Sequence, residues 1–221
     1  MLAIVLARRP WREYDENITL FTAGLGKVEV LARGSKKIVS KNSAALEPYF
    51  LIEAEIIPGK DIIHLGSVEP INSFKNIRGS LEKSLAASYA VTSLCKLMQS
   101  PEPDKEVFYL LASWLEFLNQ KSIAYRTIYL DAFMAKLFAY LGWDISHEEK
   151  VGGLINSNIK YLISNSWKKL LEWSMSQSER DVLHKNVFEL LSYYGEVKIV
   201  DWSSARFLQW ALWFIVDNLI D

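Results

Sequence analysis

The chain has 221 residues, half of them hydrophobic and 23% charged, with a formal net charge of −1. That length and apolar content allow one large domain or two small ones, each with its own core, and exclude a disordered chain. Its single cysteine, Cys95, excludes disulfides within the chain and a thiolate-rich zinc site.

The first apolar run, Leu2 to Leu6, is too short for a secretory signal, and its arginines follow it where a signal would place them in front. The longest uninterrupted apolar stretch, Trp210 to Val216, falls far short of the roughly twenty residues that span a bilayer. A soluble, cytoplasmic protein without membrane attachment is therefore expected. Four further runs rich in β-branched and aromatic residues follow: Ile18 to Phe21, Val28 to Ala32, Tyr49 to Ile57 and Ile62 to Val68. Turn residues separate them at 15–17, 24–26, 34–35 and 58–61. Five short strands with a longer third connection predict a small closed barrel of the OB type, whose closure removes exposed edges.

After Phe74 the apolar period becomes helical. Leu81, Leu85, Tyr89, Thr92 and Met98 form one stripe, and Phe108, Leu111, Leu115 and Leu118 form a second behind Pro103-Asp104. Leu130, Phe133, Leu137 and Leu141 form a third, with Gly142 placed as a C-terminal cap. Residues 143–165 lack periodicity and read as an irregular segment. A helix is expected from the cap residue Ser178, burying Leu183, Val187, Leu190 and Tyr194 and stopping at Gly195. A buried terminal helix is expected over 203–219. The predicted class is thus α+β, a five-stranded barrel followed by a mostly helical part.

Patterns that suggest catalysis dissolve on inspection. Gly24-Leu25-Gly26-Lys27 lacks the glycine spacing and Ser/Thr of a phosphate loop, and a strand follows it where a helix would be needed, so it reads as a hairpin turn. Ser80-Leu81-Glu82-Lys83 matches Ser-x-x-Lys, but its partner motifs are absent and Ser80 reads as a helix N-cap. His64, His147 and His184 lie in separate elements, the last two in polar surroundings, and no carboxylate pair stands out. No catalytic residue and no cofactor is expected. Trp114, Trp167, Trp173, Trp210 and Trp213 fall at helical spacing among Leu and Phe, as core residues do.

The remaining signal is charge. Residues 1–78 carry eleven Lys/Arg against nine Asp/Glu, and residues 79–221 carry fourteen against seventeen. Within fifteen positions lie Lys27, Arg33, Lys36, Lys37 and Lys41, opposed only by Glu29. Such a hairpin and loop suit a polyanion, because each phosphate neutralised releases a counterion. Arg8, Arg9 and Arg12 close the first strand and would extend the same track. Trp11 and Tyr14 lie in the polar turn between, free to cover a barrel end or to stack on a base.

Five blocks over residues 1–75 carry a specific resemblance: Arg9-Pro10-Trp11-Arg12-Glu13, Thr22 with Gly26-Lys27-Val28, Ala32-Arg33-Gly34-Ser35-Lys36, Leu46-Glu47-Pro48-Tyr49 and Leu65-Gly66-Ser67-Val68-Glu69. In order and spacing they resemble the RecO family of bacterial recombination mediators. The later Phe108-Tyr109-Leu110-Leu111 and Leu141-Gly142-Trp143 agree more loosely. The resemblance implies a DNA-binding OB domain over 1–75 and a helical domain over 76–221. It further implies binding of single- and double-stranded DNA, annealing of complementary strands, and work with RecR and the tail of single-stranded-DNA-binding protein to load RecA. Many family members carry paired Cys-x-x-Cys motifs after the Leu-Gly-Trp helix end. Here 144–166 hold no cysteine, so zinc is not expected. A second reading keeps the barrel as a protein-interaction module without direct nucleic-acid binding, and a third, a small hydrolase, lacks any candidate site.

Overall fold

The computed structural model describes residues 1–37, 40, 42–98, 102–143, 153–194 and 201–202. Five strands form a closed barrel: β1 (Leu2–Pro10), β2 (Glu16–Thr22), β3 (Gly26–Ala32), β4 (Leu51–Ile57) and β5 (His64–Asn72), in the order β1-β2-β3-β5-β4. All pairings are antiparallel except β3 with β5, where Leu31 faces His64 in parallel. This is the predicted OB-type barrel, and Gly26, at φ +67°, sits at the end of the tight β2–β3 hairpin. Thr22 locks that turn by accepting from the Leu25 N–H and donating to the Gly26 carbonyl.

Strand alternation divides the apolar residues between two cores. Ala3, Val5, Ile18, Leu20, Val28, Val30 and Ile52 fill the barrel interior. Ile4, Leu6 and Phe21 point outward and pack with the helices, Phe21 against Phe108 at 5.8 Å between ring centroids. The barrel wall therefore doubles as one side of the helical core.

Helices α1 (Lys75–Arg78), α2 (Leu81–Leu97), α3 (Lys105–Leu118), α4 (Thr127–Tyr140), α5 (Gly153–Ser164), α6 (Trp167–Glu172) and α7 (Gln177–Tyr194) follow. Ser80 and Asp104 cap α2 and α3 by accepting from the N–H groups of Lys83 and Val107. Gly142, at φ +90°, ends α4 as its position in the sequence suggests. The second stripe is buried throughout, and so are Leu130, Phe133 and Leu137 of the third. Trp114 lies at the centre of this core and donates to the Tyr129 carbonyl.

Three expectations change. Leu81 is exposed, because the first turn of α2 turns that side to solvent and buries Lys83, whose ammonium donates to the Gln120 carbonyl. The stretch read as irregular is helical from Gly153 onward, with Ile159 and Leu162 buried one turn apart. Helix α7 begins at Gln177 and not after Ser178. Ser176 and Glu179 form a reciprocal capping box there: the Ser176 Oγ accepts from the Glu179 N–H, and the Glu179 carboxylate accepts from the Ser176 N–H. Leu183, Val187 and Leu190 are buried on α7 as expected. The expected terminal helix over 203–219, the Tyr194 side chain, His147, Trp210 and Trp213 lie outside the described residues.

Candidate nucleic-acid interface

The cations sort into committed and free ones. A β-bulge between Val5 and Ala7 inserts one residue into β1 and reverses the alternation beyond it. Arg8, which simple alternation would place outside, thus lies opposite the interior residue Ile18 and turns into the barrel mouth. Its guanidinium meets Glu16 at 2.7 Å and Glu47 at 2.9 Å, with further bonds to the Ser43 carbonyl and Oγ. Glu16 is itself buried, and its second oxygen accepts from the Ser35 hydroxyl at 2.6 Å. Arg8 is neutralised in place by two carboxylates.

Lys27 is also engaged. Its ammonium donates to the Cys95 carbonyl at 2.8 Å, in the last turn of α2, where carbonyls lack partners within the helix. Burial pushes the Cys95 thiol up to about 11, against the opposing pull of Lys27 and Arg9, so it is not a reactive thiolate. Lys41 lies outside the described residues.

Arg33, Lys36 and Lys37 are exposed on one turn. Gly34 adopts φ +64°, a left-handed conformation that lets the chain reverse. Ser35 points inward, fully buried, bonded to Glu16 and to the Ala32 carbonyl. With that one side chain anchored, its cationic neighbours are held outward. The turn is laced to the β1–β2 turn: the Asp15 carboxylate accepts from the Gly34 N–H at 2.8 Å, and the Tyr14 carbonyl accepts from the Lys36 N–H at 3.1 Å. The Lys37 ammonium lies 5.6 Å from the Tyr14 ring centroid. Arg12 is exposed on the same β1–β2 connection as Trp11 and Tyr14, and Arg9 is exposed at the end of β1, two residues before Trp11. Two turns distant in sequence thus form one surface with four exposed cations, Arg12, Arg33, Lys36 and Lys37, and two exposed aromatics, with Arg9 on the strand leading into it.

A second polar cluster went unseen in the sequence. His184, on α7, is buried and bonded through Nδ1 to Asp131 on α4 at 2.7 Å and through Nε2 to Asp201 at 3.0 Å. Trp202 donates to the same Asp131 oxygen at 2.8 Å. Burial opposes a charge on the imidazole, but the two carboxylates outweigh it and raise its pKa above the ordinary value. Both ring nitrogens are occupied, so the arrangement offers no free general base. It ties α7 and the chain at 201–202 to α4. The polar surroundings read for His184 were those of its sequence neighbours, while the fold buries it.

A four-thiolate metal site does not fit this chain. Four thiolates cannot come from one cysteine, and Cys95 lies in α2. Among the described residues no three His, Cys, Asp or Glu side chains cluster as ligands, and no helix is long and apolar enough to cross a membrane.

Comparison with known proteins agrees with this architecture. The profile of the family described as "Recombination protein O N terminal" matches residues 1–74, and "Recombination protein O C terminal" matches residues 78–153. The chain is similar to proteins named DNA repair protein RecO. The one from Anaeromyxobacter sp. (strain K) is 34% identical over 121 residues, covering 54% of this chain and 48% of that protein. The one from Geobacter metallireducens is 35% identical over 118 residues, 53% and 48% of the two chains. The one from Thermoanaerobacter sp. (strain X514) is 27% identical over 164 residues, 74% and 65%. The match to the first two spans about half of their length.

Proposed function

Because the chain belongs to the RecO family, we propose that it is a non-enzymatic mediator of DNA repair and recombination. It binds single- and double-stranded DNA through the two laced turns at the barrel end. One observation supports this most: Arg33, Lys36 and Lys37 are held outward on a turn whose central residue, Ser35, is buried against Glu16. Arg12 on the neighbouring turn and Arg9 at the end of β1 lengthen the track. Such cations contact phosphates and read no sequence, as a protein acting on any damaged site requires. Neutralising two backbones together lowers their repulsion and favours annealing. Arg8 and Lys27, already bonded within the protein, contribute field and rigidity but no direct contact.

RecR and single-stranded-DNA-binding protein are the proposed partners, with RecA loading as the consequence. The helical part offers an open groove of about 480 Å³ lined in part by Tyr109, Leu110, Tyr140 and Trp167, with Glu106 and with Lys136, whose ammonium also donates to the Ile163 and Asn165 carbonyls. An acidic, apolar peptide tail suits such a groove. The protein acts within the bacterial cytoplasm, at the nucleoid during repair.

Charge reversal tests the reading. Arg33→Glu with Lys37→Glu should weaken single-strand binding at moderate salt and flatten its dependence on log salt. Unchanged affinity and slope would leave the turn as plain surface. A protein-interaction module is the second reading, favoured by Ile57 and Ile62, both exposed around the β4–β5 turn. It predicts no single-strand binding at any salt, with retention of RecR in a pull-down.

A further inference from the structure

We propose that Trp11 is the base-stacking element of this surface and the residue that makes it prefer single strands over duplex. The proposal rests on the DNA-binding reading above and assigns it a specificity determinant. Trp11 is 52% exposed, whereas the other described tryptophans are buried or half-buried. Exposing so large an apolar ring forgoes the burial that stabilises most tryptophans.

The Trp11 backbone is also held in place. The Trp11 and Arg12 N–H groups both donate to the Asp15 carbonyl, at 3.0 and 3.3 Å, which closes the turn tightly. Asp15 in turn holds the cationic turn through the Gly34 N–H. Phosphates lying along Arg12, Arg33, Lys36 and Lys37 would therefore run past an exposed aromatic side chain whose backbone is held by the same residue. Tyr14, the other exposed aromatic, is engaged: its ring carries the Lys37 ammonium and its carbonyl takes the Lys36 N–H.

Stacking discriminates where charge does not. Phosphates are present on single strands and duplexes alike, so the cations serve both. A base can lie on Trp11 only when it is not stacked within a helix, so the ring adds affinity for single strands alone. During annealing each base leaving Trp11 would be compensated by pairing, and the duplex would then be held by charge only.

The test compares an oligo-dT, an abasic oligomer of equal length and charge, and a duplex, by fluorescence anisotropy at two salt concentrations. Native protein should bind oligo-dT more tightly than the abasic strand, and Trp11→Ala should remove most of that preference. The expected loss for oligo-dT is roughly five- to one-hundred-fold, with an unchanged salt slope and unchanged duplex affinity. Trp11→Phe should keep a good part of the preference. Equal binding of dT and abasic strands by the native protein overturns the proposal, and so does a Trp11→Ala variant that retains the preference. If Arg33→Glu with Lys37→Glu leaves all binding unchanged, the DNA-binding reading itself fails. If only the Trp11 arms are flat, charge binding stands and stacking falls.

Discussion

The Ser35 hydroxyl donates to the buried carboxylate of Glu16 at 2.6 Å, across nineteen positions of sequence. This one bond joins the cationic turn to the end of β2, and through Glu16 to Arg8 and the 43–47 segment. With the Asp15 and Tyr14 bonds to the same turn, it holds the segment that presents Arg33, Lys36 and Lys37.

Removing that anchor should therefore be felt in two measurements. Ser35→Ala takes a donor from a buried carboxylate and should cost about 2 kcal/mol in urea unfolding, the range for hydrogen bonds to charged groups. Glu16→Ala also removes one of the two carboxylates on Arg8 and should cost about 3 kcal/mol, the lower end for breaking a buried pair because Glu47 still meets the guanidinium. Both should loosen the turn and weaken single-strand binding. Native stability in both variants would show that the turn stands without its anchor.

Arg8 and Lys36 should separate cleanly. Lys36→Ala should leave stability unchanged and lower the salt slope for single strands by about 0.7, one phosphate's share. Arg8→Gln should do the reverse, losing stability because Glu16 is left buried without its cation, with little change in slope. Titrations against log salt, alongside urea melts of each variant, check the pair.

Lys27 makes a third contrast. Its bond to the Cys95 carbonyl links the β2–β3 hairpin to the end of α2. Lys27→Met should keep the packing of the stem and lose about 1.5 kcal/mol of stability. Its salt slope should match that of the native protein. A slope reduced as much as in Lys36→Ala would instead place Lys27 on DNA.

His184 gives the protein a pH signature. Its pKa is raised in the fold, with Asp131 and Asp201 overcoming the effect of burial, while unfolded histidine titrates near the ordinary value of about 6.5. The charged imidazole therefore contributes stability that is present below about pH 6.5 while Asp131, whose own pKa burial raises, stays ionised, and that is lost as pH rises through the folded pKa of His184. His184→Gln should cost about 3 kcal/mol at pH 6 and flatten the pH dependence above neutrality. Equal pH profiles for the two proteins in chemical denaturation would remove this assignment.

Much of the barrel was legible because alternation and turn residues are local signals. Each run of β-branched residues became a strand, and the glycines at 26 and 34 fell where a reversal needs them. The turn carrying Arg33, Lys36 and Lys37 was legible for the same reason. Arg8 was not: one extra residue in β1 inverts its direction, and nothing in the run Leu2 to Pro10 announces a bulge. Lys27 was read by its charge, but its partner lies 68 positions away. The His184 cluster draws on residues 53 and 17 positions distant, beyond any local pattern. Helix α5 was hidden by its Asn and Ser residues and by the glycine pair whose second member opens it, and became helical through the packing of Ile159 and Leu162.

Ile4, Leu6 and Phe21 face away from the barrel interior and into the helices. An excised fragment of residues 1–74 would open these three side chains to water and lose the latch of Lys27 on α2. Barrel and helices should consequently melt in one transition, and proteolysis of the helices should bring the barrel down with them. A lesion deep in the helical core, such as one at Phe108, would then abolish strand binding by a surface it never touches.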